Sequence, residues 1–152
     1  VTAFDALSGK TTIGHRVIVI GGGMVGTETA DHFANHGKEV TIVEMLPEIA
    51  TDEEAAVRLF LMRDLEKNKV KIYVNSPVKE ITDDGVIVTR EGREEKIGPA
   101  DTIILAIGAK SVNKLENELS GKVERLIVVG DALKPRKALE AVEEGYKAGL
   151  TL

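Results

Sequence analysis

The feature that most constrains the fold is a glycine-rich motif directly after a short apolar run. Val17–Ile20 precedes Gly21, Gly23 and Gly26 in the spacing G-x-G-x-x-G, and Glu44 closes the next apolar run. An apolar strand, this glycine spacing, a helix and a carboxylate about 20 residues further on form the dinucleotide-binding fingerprint. The motif therefore predicts a βαβ unit that binds a dinucleotide.

Each glycine of the motif has a separate physical role. Gly21 allows a tight turn out of the strand, Gly23 leaves room for a pyrophosphate beside the backbone, and Gly26 allows close packing of helix on sheet. The pyrophosphate would lie against free N–H groups at the helix N-terminus, where the helix dipole favours negative charge. The candidate backbone contacts are Gly21, Gly22, Gly23, Met24, Val25 and Gly26.

The residues around Glu44 predict which dinucleotide binds. A carboxylate at this position accepts hydrogen bonds from the ribose hydroxyls of the adenosine and repels a 2′-phosphate. The next residues, Met45, Leu46 and Pro47, include no arginine that would pair with such a phosphate. The sequence therefore predicts NAD, as NADH, rather than NADP.

Composition limits the other function classes. A chain of 152 residues corresponds to one domain by length. Its net charge of −5 comes from interspersed acidic and basic residues without a basic stripe, and this pattern argues against nucleic acid and membrane partners. The absence of cysteine excludes a dithiol relay or a cysteine nucleophile in this segment. The first residues resemble neither a signal nor a transit peptide, so we expect a cytoplasmic protein. Because no initiator Met is present, we expect a piece of a longer chain.

Periodicity along the chain predicts an α/β fold, namely a Rossmann-type parallel sheet with flanking helices and an inserted three-stranded antiparallel meander. The parallel strands are predicted at Val17–Ile20, Val40–Val43, Val70–Val74 and Thr102–Ala106, and the meander strands at Val78–Thr82, Val86–Arg90 and Arg93–Ile97. One helix is predicted over Met24–His36. A second is predicted to start at a capping box, Thr51–Glu54, and to end near Asn68.

The C-terminal part contains one more apolar run and one more helical pattern. Leu126–Val129 reads as a strand, and a helix is predicted from Pro135 to about Leu150. Arg136 and Lys137 would then lie in the first helical turn, where cations oppose the helix dipole. Either an anion faces them, or the nearby Asp131 caps or pairs with them; the sequence leaves both alternatives open.

These motifs resemble the pyridine nucleotide-disulfide oxidoreductase superfamily, the flavoprotein reductases with two dinucleotide-binding domains. The resemblance covers nearly the whole chain and rests on G-x-G-x-x-G-x-E ending at Glu28, the inserted meander, Ala106-Ile107-Gly108 and Val129-Gly130-Asp131-Ala132. The C-terminal segment is most similar to the 2,4-dienoyl-CoA reductase and 2-enoate reductase group (NADH:flavin oxidoreductases). Ile107 stands where the family usually has threonine.

The resemblance implies an NADH-binding domain of a flavin-dependent oxidoreductase, which positions NADH for hydride transfer to FAD. Residues 1–14 would be a linker, 15–110 the NAD-binding Rossmann domain, and 111–152 a strand and helix like the end of an FAD domain. Implied cofactor contacts are Glu28 near the nicotinamide, with Ala106, Ile107, Gly108, Gly130 and Asp131. The partners implied are an FAD domain and an old-yellow-enzyme-like barrel. We expect the isolated segment to be inactive in hydride transfer.

Several alternatives stay open at this stage. The fingerprint would also accept the ADP part of FAD, and a non-enzymatic NAD-responsive module is a third reading. Without an FAD sheet, Leu126–Val129 is expected to add beside Thr102–Ala106 or to pair with a second copy in a homodimer. His32 and His36 have a metal-compatible spacing, but a solvated helix end is favoured and no metal is predicted. Glu28 is also compatible with a plain helix-surface residue.

Overall fold

The computed structural model describes residues 1–151, and within this range it contains five α-helices, one short 3₁₀ helix and seven strands. The α-helices are α1 (Ala3–Leu7), α2 (Met24–Asn35), α3 (Ala55–Lys67), α4 (Lys114–Leu119) and α5 (Ala138–Gly149). The strands are β1 (Arg16–Ile20), β2 (Glu39–Val43), β3 (Lys71–Tyr73), β4 (Val78–Thr82), β5 (Gly85–Arg90), β6 (Arg93–Ile97) and β7 (Thr102–Leu105). The 3₁₀ helix is Gly130–Ala132.

The chain divides into two compact units, Val1–Ile107 and a second unit that begins at Gly108. The first unit contains a four-stranded parallel sheet in the order β3-β2-β1-β7 and an antiparallel sheet in the order β4-β5-β6. In the parallel sheet, Val19 of β1 lies between Ile42 of β2 and Ile104 of β7. The predicted Rossmann-type sheet and inserted meander are confirmed.

Alternation along β1 builds two separate cores on the faces of the parallel sheet. Val17 and Val19 belong to a cluster that includes Phe33 of α2 and Leu65 of α3. Their neighbours on β1, Ile18 and Ile20, belong to a second cluster with Val86 and Val88 of the meander. Because helices cover one face and the meander covers the other, the central strand β1 is apolar from Val17 to Ile20 without alternation, as in other parallel sheets.

The N-terminal residues cover the outer edge of β7. The Val1 nitrogen donates to Ile103 O at 2.9 Å, and Leu105 N–H donates to Val1 O at 2.8 Å. Helix α1 follows directly and buries Ala3 and Ala6. No element is predicted here from the sequence, because a five-residue helix is too short to show a period of 3.6.

The predicted start of α3 is wrong. The helix begins at Ala55 with Glu54 as N-cap, which makes no side-chain capping bond, and Thr51 lies in a turn before it. The physical reason is that the preceding loop is held by the glycine motif. Ala50 has a left-handed backbone (φ 52°), and its N–H donates to Gly22 O at 2.7 Å, so the helix starts only after this anchor.

Two expectations for the second unit are also wrong. Leu126–Val129 is not a strand and does not extend the parallel sheet. The outer edge of β7, which this segment was expected to join, is already paired with Val1. Pairing with a second copy stays a prediction.

Helix α5 starts at Ala138 rather than at Pro135, so Arg136 precedes the helix and Lys137 is its N-cap. The first turn of α5 therefore contains neither of the two cations that were expected there. Arg136 instead forms an ion pair with Glu144. Helix α4, of six residues, was not predicted, and again its length is too short for a clear periodic pattern. No helix within residues 1–151 is long and apolar enough to cross a membrane.

Candidate dinucleotide-binding site

The glycine motif forms a tight loop between β1 and α2, and three of its glycines are enclosed by neighbouring atoms. Gly21 has a left-handed backbone (φ 103°), and a Cβ there would lie 2.4 Å from Ala106 O. A Cβ on Gly22 would lie 2.5 Å from the side chain of Ile49, and one on Gly26 would lie 1.9 Å from Gly21 O. Any larger side chain at these positions would push the loop, helix and sheet apart.

Gly23 differs from the other three because its surroundings are open. A Cβ on Gly23 would meet only the Asp52 carboxylate, at 3.5 Å or more. Gly23 is also the N-cap of α2 and has no side chain to bond the N–H groups of the first turn. This cradle at the helix N-terminus, which in the described part of the chain only the Asp52 carboxylate approaches, fits a pyrophosphate.

One N–H of this helix end already has a partner. Met24 N–H, the first of α2, donates to Asp52 Oδ1 at 2.8 Å. Asp52 was not among the residues predicted for the site, because the sequence suggested only a helix start there. The signal that could have found it is position, since the carboxylates Asp52, Glu53 and Glu54 follow soon after β2, whose carboxyl end lies beside the glycine loop.

Glu44 is almost fully buried, with 7% of its surface exposed, and its carboxylate holds the glycine loop in place. Its Oε2 accepts from Gly22 N–H at 2.5 Å and its Oε1 accepts from Leu46 N–H at 2.7 Å. A carboxylate can accept about four hydrogen bonds. Glu44 therefore keeps capacity for ribose hydroxyls while it joins the end of β2 to the loop after β1.

Glu28 lies on the exposed side of α2 near two other carboxylates. Its pKa is raised above the ordinary value, first because partial burial desolvates the carboxyl and then because of the charges of Glu53 and Asp52. Glu53 has one buried oxygen, Oε1, without a hydrogen-bond partner among the described residues. Negative charge therefore predominates at the carboxyl edge of the sheet, and the N–H groups at the start of α2 face this charge.

Ala106 and Ile107 continue the chain from β7 beside the glycine loop. Ala106 N–H donates to Ile20 O at 2.8 Å, and this bond aligns the two strand ends. Ile107 exposes 71% of its surface, so the residue that replaces the family's usual threonine presents an apolar side chain to solvent. Gly108 begins the second unit in a left-handed conformation (φ 87°) with open space around it.

Gly130 and Asp131 are the first two residues of the 3₁₀ helix in the second unit. Gly130 has a left-handed backbone (φ 63°), and its N–H donates to Glu144 Oε2 at 2.7 Å. Glu144 also pairs with Arg136, and the pKa of Glu144 is lowered first by Arg136 and then by the Gly130 N–H. Glu144 was not predicted from the sequence, because it follows Gly130 by 14 residues and only the fold of this unit brings the two together.

Two other features lie outside this site. His36 Nδ1 lies 2.7 Å from His32 O, and within residues 1–151 no three His, Asp or Glu side chains are placed so that they could hold a metal ion together. A cleft of about 530 Å³ is lined by residues from the amino ends of β1 and β2, among them Arg16, Lys38 and Lys71. That cleft contains no residue of the glycine motif.

Residues 2–143 match the family profile described as pyridine nucleotide-disulphide oxidoreductase. The chain belongs to this family. The motif-based resemblance is thus confirmed, and the family consists of oxidoreductases with the fold described above.

Individual family members support the same assignment. The chain is 34% identical to a metal reductase of Desulforamulus reducens, over 99% of this chain and 27% of that protein. It is 40% identical to an NADH oxidase of Thermoanaerobacter brockii, over 95% of this chain and 23% of that protein. The structure of a 2-naphthoyl-CoA reductase complex superposes with a TM-score of 0.88 at 32% identity, over 100% of this chain and 23% of that one. The chain therefore spans about a quarter of the length of these relatives.

Proposed function

We propose that this chain is the NADH-binding domain of a flavin-dependent oxidoreductase and positions NADH for hydride transfer to FAD. The observation that carries the proposal is the bond from Gly22 N–H to the buried Glu44 carboxylate. This bond holds a candidate ribose acceptor beside the open cradle at Gly23. This arrangement suits the pyrophosphate and the ribose of an ADP moiety, because these two groups are bonded directly to each other.

The proposal assigns each group of the first unit a part in holding the nucleotide. The backbone of Gly23, Met24 and Val25 would bind the pyrophosphate, and Glu44 would accept from the adenosine ribose. Glu28, Ala106 and Ile107 would lie toward the nicotinamide. Bound NADH supplies the hydride, while the protein contributes binding and orientation. Gly108, Gly130 and Asp131, in the second unit, stay predicted contacts of the cofactors.

The names of the relatives support an NADH-dependent oxidoreductase. One of them is an NADH oxidase, and the three relatives described above are about four times as long as this chain. We propose that the native protein also contains an FAD domain and an old-yellow-enzyme-like barrel, and that it acts in the cytoplasm. By this proposal the chain alone binds NADH, lacks a complete flavin site and is inactive in hydride transfer.

The direct test is titration of the purified chain with NADH and NADPH, followed by fluorescence of the reduced nicotinamide. We expect tighter binding of NADH, because Glu44 repels a 2′-phosphate. Glu44→Ala should reduce the discrimination by about 1–3 kcal/mol, the range for hydrogen bonds to a charged group. Because Glu44 also holds Gly22 and Leu46, circular dichroism must show that the variant is folded. Glu80→Ala, which removes an exposed carboxylate of β4, is the matched control and should leave both affinities unchanged.

Three results would overturn the proposal. A preference for NADPH would contradict the role of Glu44, and absence of binding by either nucleotide would contradict the assignment of the domain. Purification of the chain with bound yellow flavin would instead support the alternative of an FAD-binding domain.

A further inference from the structure

The group that occupies the helix end of the proposed nucleotide site is a side chain of the same protein. Asp52 Oδ1 accepts the Met24 N–H at 2.8 Å, and its two carboxylate oxygens are the nearest atoms to a Cβ built on Gly23. A carboxylate and a phosphate are both anions with several acceptor oxygens, and both are favoured at a helix N-terminus. Asp52 thus stands where a pyrophosphate oxygen would stand.

We propose that Asp52 is an internal competitor of the pyrophosphate: it occupies Met24 N–H in the nucleotide-free protein and must leave before a dinucleotide binds. The inference rests on the proposed NADH-binding function and adds a regulatory contact to the same site. Two anions that share one N–H donor each bond it more weakly, and Asp52 would also repel the incoming phosphates at close range.

The surrounding charges strengthen this competition. Asp52 and Glu53 both raise the pKa of Glu28, as described above, so three carboxylates lie near the proposed pyrophosphate site at the start of α2. While Asp52 accepts from Met24 it gains a favourable partner. Once a pyrophosphate displaces it, Asp52 must move away from the helix end.

The loop around Asp52 permits this movement without unfolding. The anchor of the loop is Ala50, which is fully buried and bonded to Gly22 O, together with the buried Ile49 that packs on Gly22. Asp52 lies two residues further on and is exposed. Rotation of its side chain can release Met24 while the anchor stays in place.

The competition predicts opposite effects on affinity and stability. A protein that binds its ligand only in a fraction of its states loses affinity in proportion to that fraction, so removal of Asp52 should restore affinity. Asp52→Ala should bind NADH and ADP-ribose about tenfold more tightly than wild type, since one charge-assisted hydrogen bond is worth roughly this factor. The same variant should melt several degrees lower without ligand, because α2 loses a partner at its N-terminus.

The experiment is calorimetric titration of wild type, Asp52→Ala, Asp52→Asn and Glu54→Gln with NADH and ADP-ribose, with thermal unfolding of each free protein. Asp52→Asn removes the charge and keeps an acceptor oxygen, so its affinity gain should be smaller; it also serves if Asp52→Ala folds poorly. Glu54→Gln removes a charge from the same loop without the contact to Met24, and should bind within about twofold of wild type.

The outcomes separate the two hypotheses. If wild type and all variants fail to bind NADH, the proposed function is wrong. If wild type binds NADH and both Asp52 variants bind it equally well or more weakly, the proposed function stands and the competition is wrong. If Glu54→Gln gains as much as Asp52→Ala, the effect is a general reduction of negative charge, and the specific role of Asp52 is also wrong.

Discussion

At the scale of single residues, the glycines of the motif are constrained by different neighbours and are therefore separable by mutation. Gly26 faces a backbone oxygen that cannot move without moving the loop, whereas Gly23 faces only an exposed side chain. Gly26 therefore allows α2 to pack on the sheet. Gly23 leaves the N-terminal end of α2 accessible to a ligand.

Gly26→Ala should lower the free energy of unfolding by about 3 kcal/mol, because the new Cβ would overlap Gly21 O and force the helix away.

Gly23→Ala should lower the free energy of unfolding by only about 1 kcal/mol, the usual difference between glycine and alanine at an N-cap. The same variant should bind NADH tenfold or more weakly, about 1.4 kcal/mol, because the methyl group enters the pyrophosphate cradle. Urea unfolding and NADH titration of both variants measure the two effects. Wild-type affinity in Gly23→Ala would show that no pyrophosphate approaches this residue.

Spacing alone predicts the backbone roles of Gly21 and Gly26, and the structure has a left-handed turn at Gly21 and close backbone contact at Gly26. The nucleotide contacts of Gly23 and Glu44 stay predictions. Asp52 and Glu144 could not be predicted, because each bonds a residue brought near by tertiary folding. Side-chain spacing within a loop contains no periodic signal that would reveal such contacts.

At the scale of elements, β1 and β7 are joined by their ladder, and a charged pair links Arg16 of β1 to Asp101, the residue before β7. Asp101 accepts from Arg16 N–H at 2.8 Å and from Arg16 Nε at 3.2 Å. The guanidinium of Arg16, and then its backbone N–H, hold the pKa of the Asp101 carboxyl well below its usual range. The unprotonated form is therefore favoured in the folded state.

A carboxyl with a depressed folded pKa adds stability above its unfolded pKa, near 4, and loses this contribution as pH falls through the folded pKa. Asp101→Asn should therefore be less stable than wild type at neutral pH, and the difference should shrink steadily below about pH 4. Thermal unfolding across this range measures it. Asp83→Asn, which removes an exposed carboxylate in the turn before β5, is the control for the loss of one negative charge and should leave the stability at neutral pH close to that of wild type. A difference that stays constant with pH would contradict the assignment.

Elements with a clear period were predicted closely, and those without one were not. The strands of the meander match within a residue, and α2 ends at Asn35, one residue before the predicted end at His36. The helices α1 and α4 have five and six residues, too few to show the pattern. Leu126–Val129 is apolar enough for a strand, but a strand also needs a partner edge, which the local sequence does not specify.

At the scale of the whole molecule, the buried cores lie entirely in the first unit. Both hydrophobic clusters consist of residues from Val1–Ile107, and no residue of 108–151 is fully buried. The fingerprint and periodicity predicted the α/β architecture of this unit. The sequence placed the end of the Rossmann domain at residue 110, and the boundary between the units lies at Ile107 and Gly108.

A chain that ends at Ile107 should therefore fold on its own. We expect a cooperative thermal transition within about 5 °C of the full chain, because the truncation removes no fully buried side chain. Circular dichroism and calorimetry of residues 1–107 measure it. A broad transition without cooperativity would show that the second unit is needed for the first to fold.

The central position of β1 has a consequence for how the protein opens. Its backbone pairs with β2 on one side and β7 on the other, and its alternate side chains contribute to both cores. An amide of β1 can exchange its hydrogen with solvent only after both layers separate, whereas β3 at the sheet edge can fray alone. Hydrogen exchange in β1 therefore reports the free energy of global opening, and exchange in β3 reports local fluctuation.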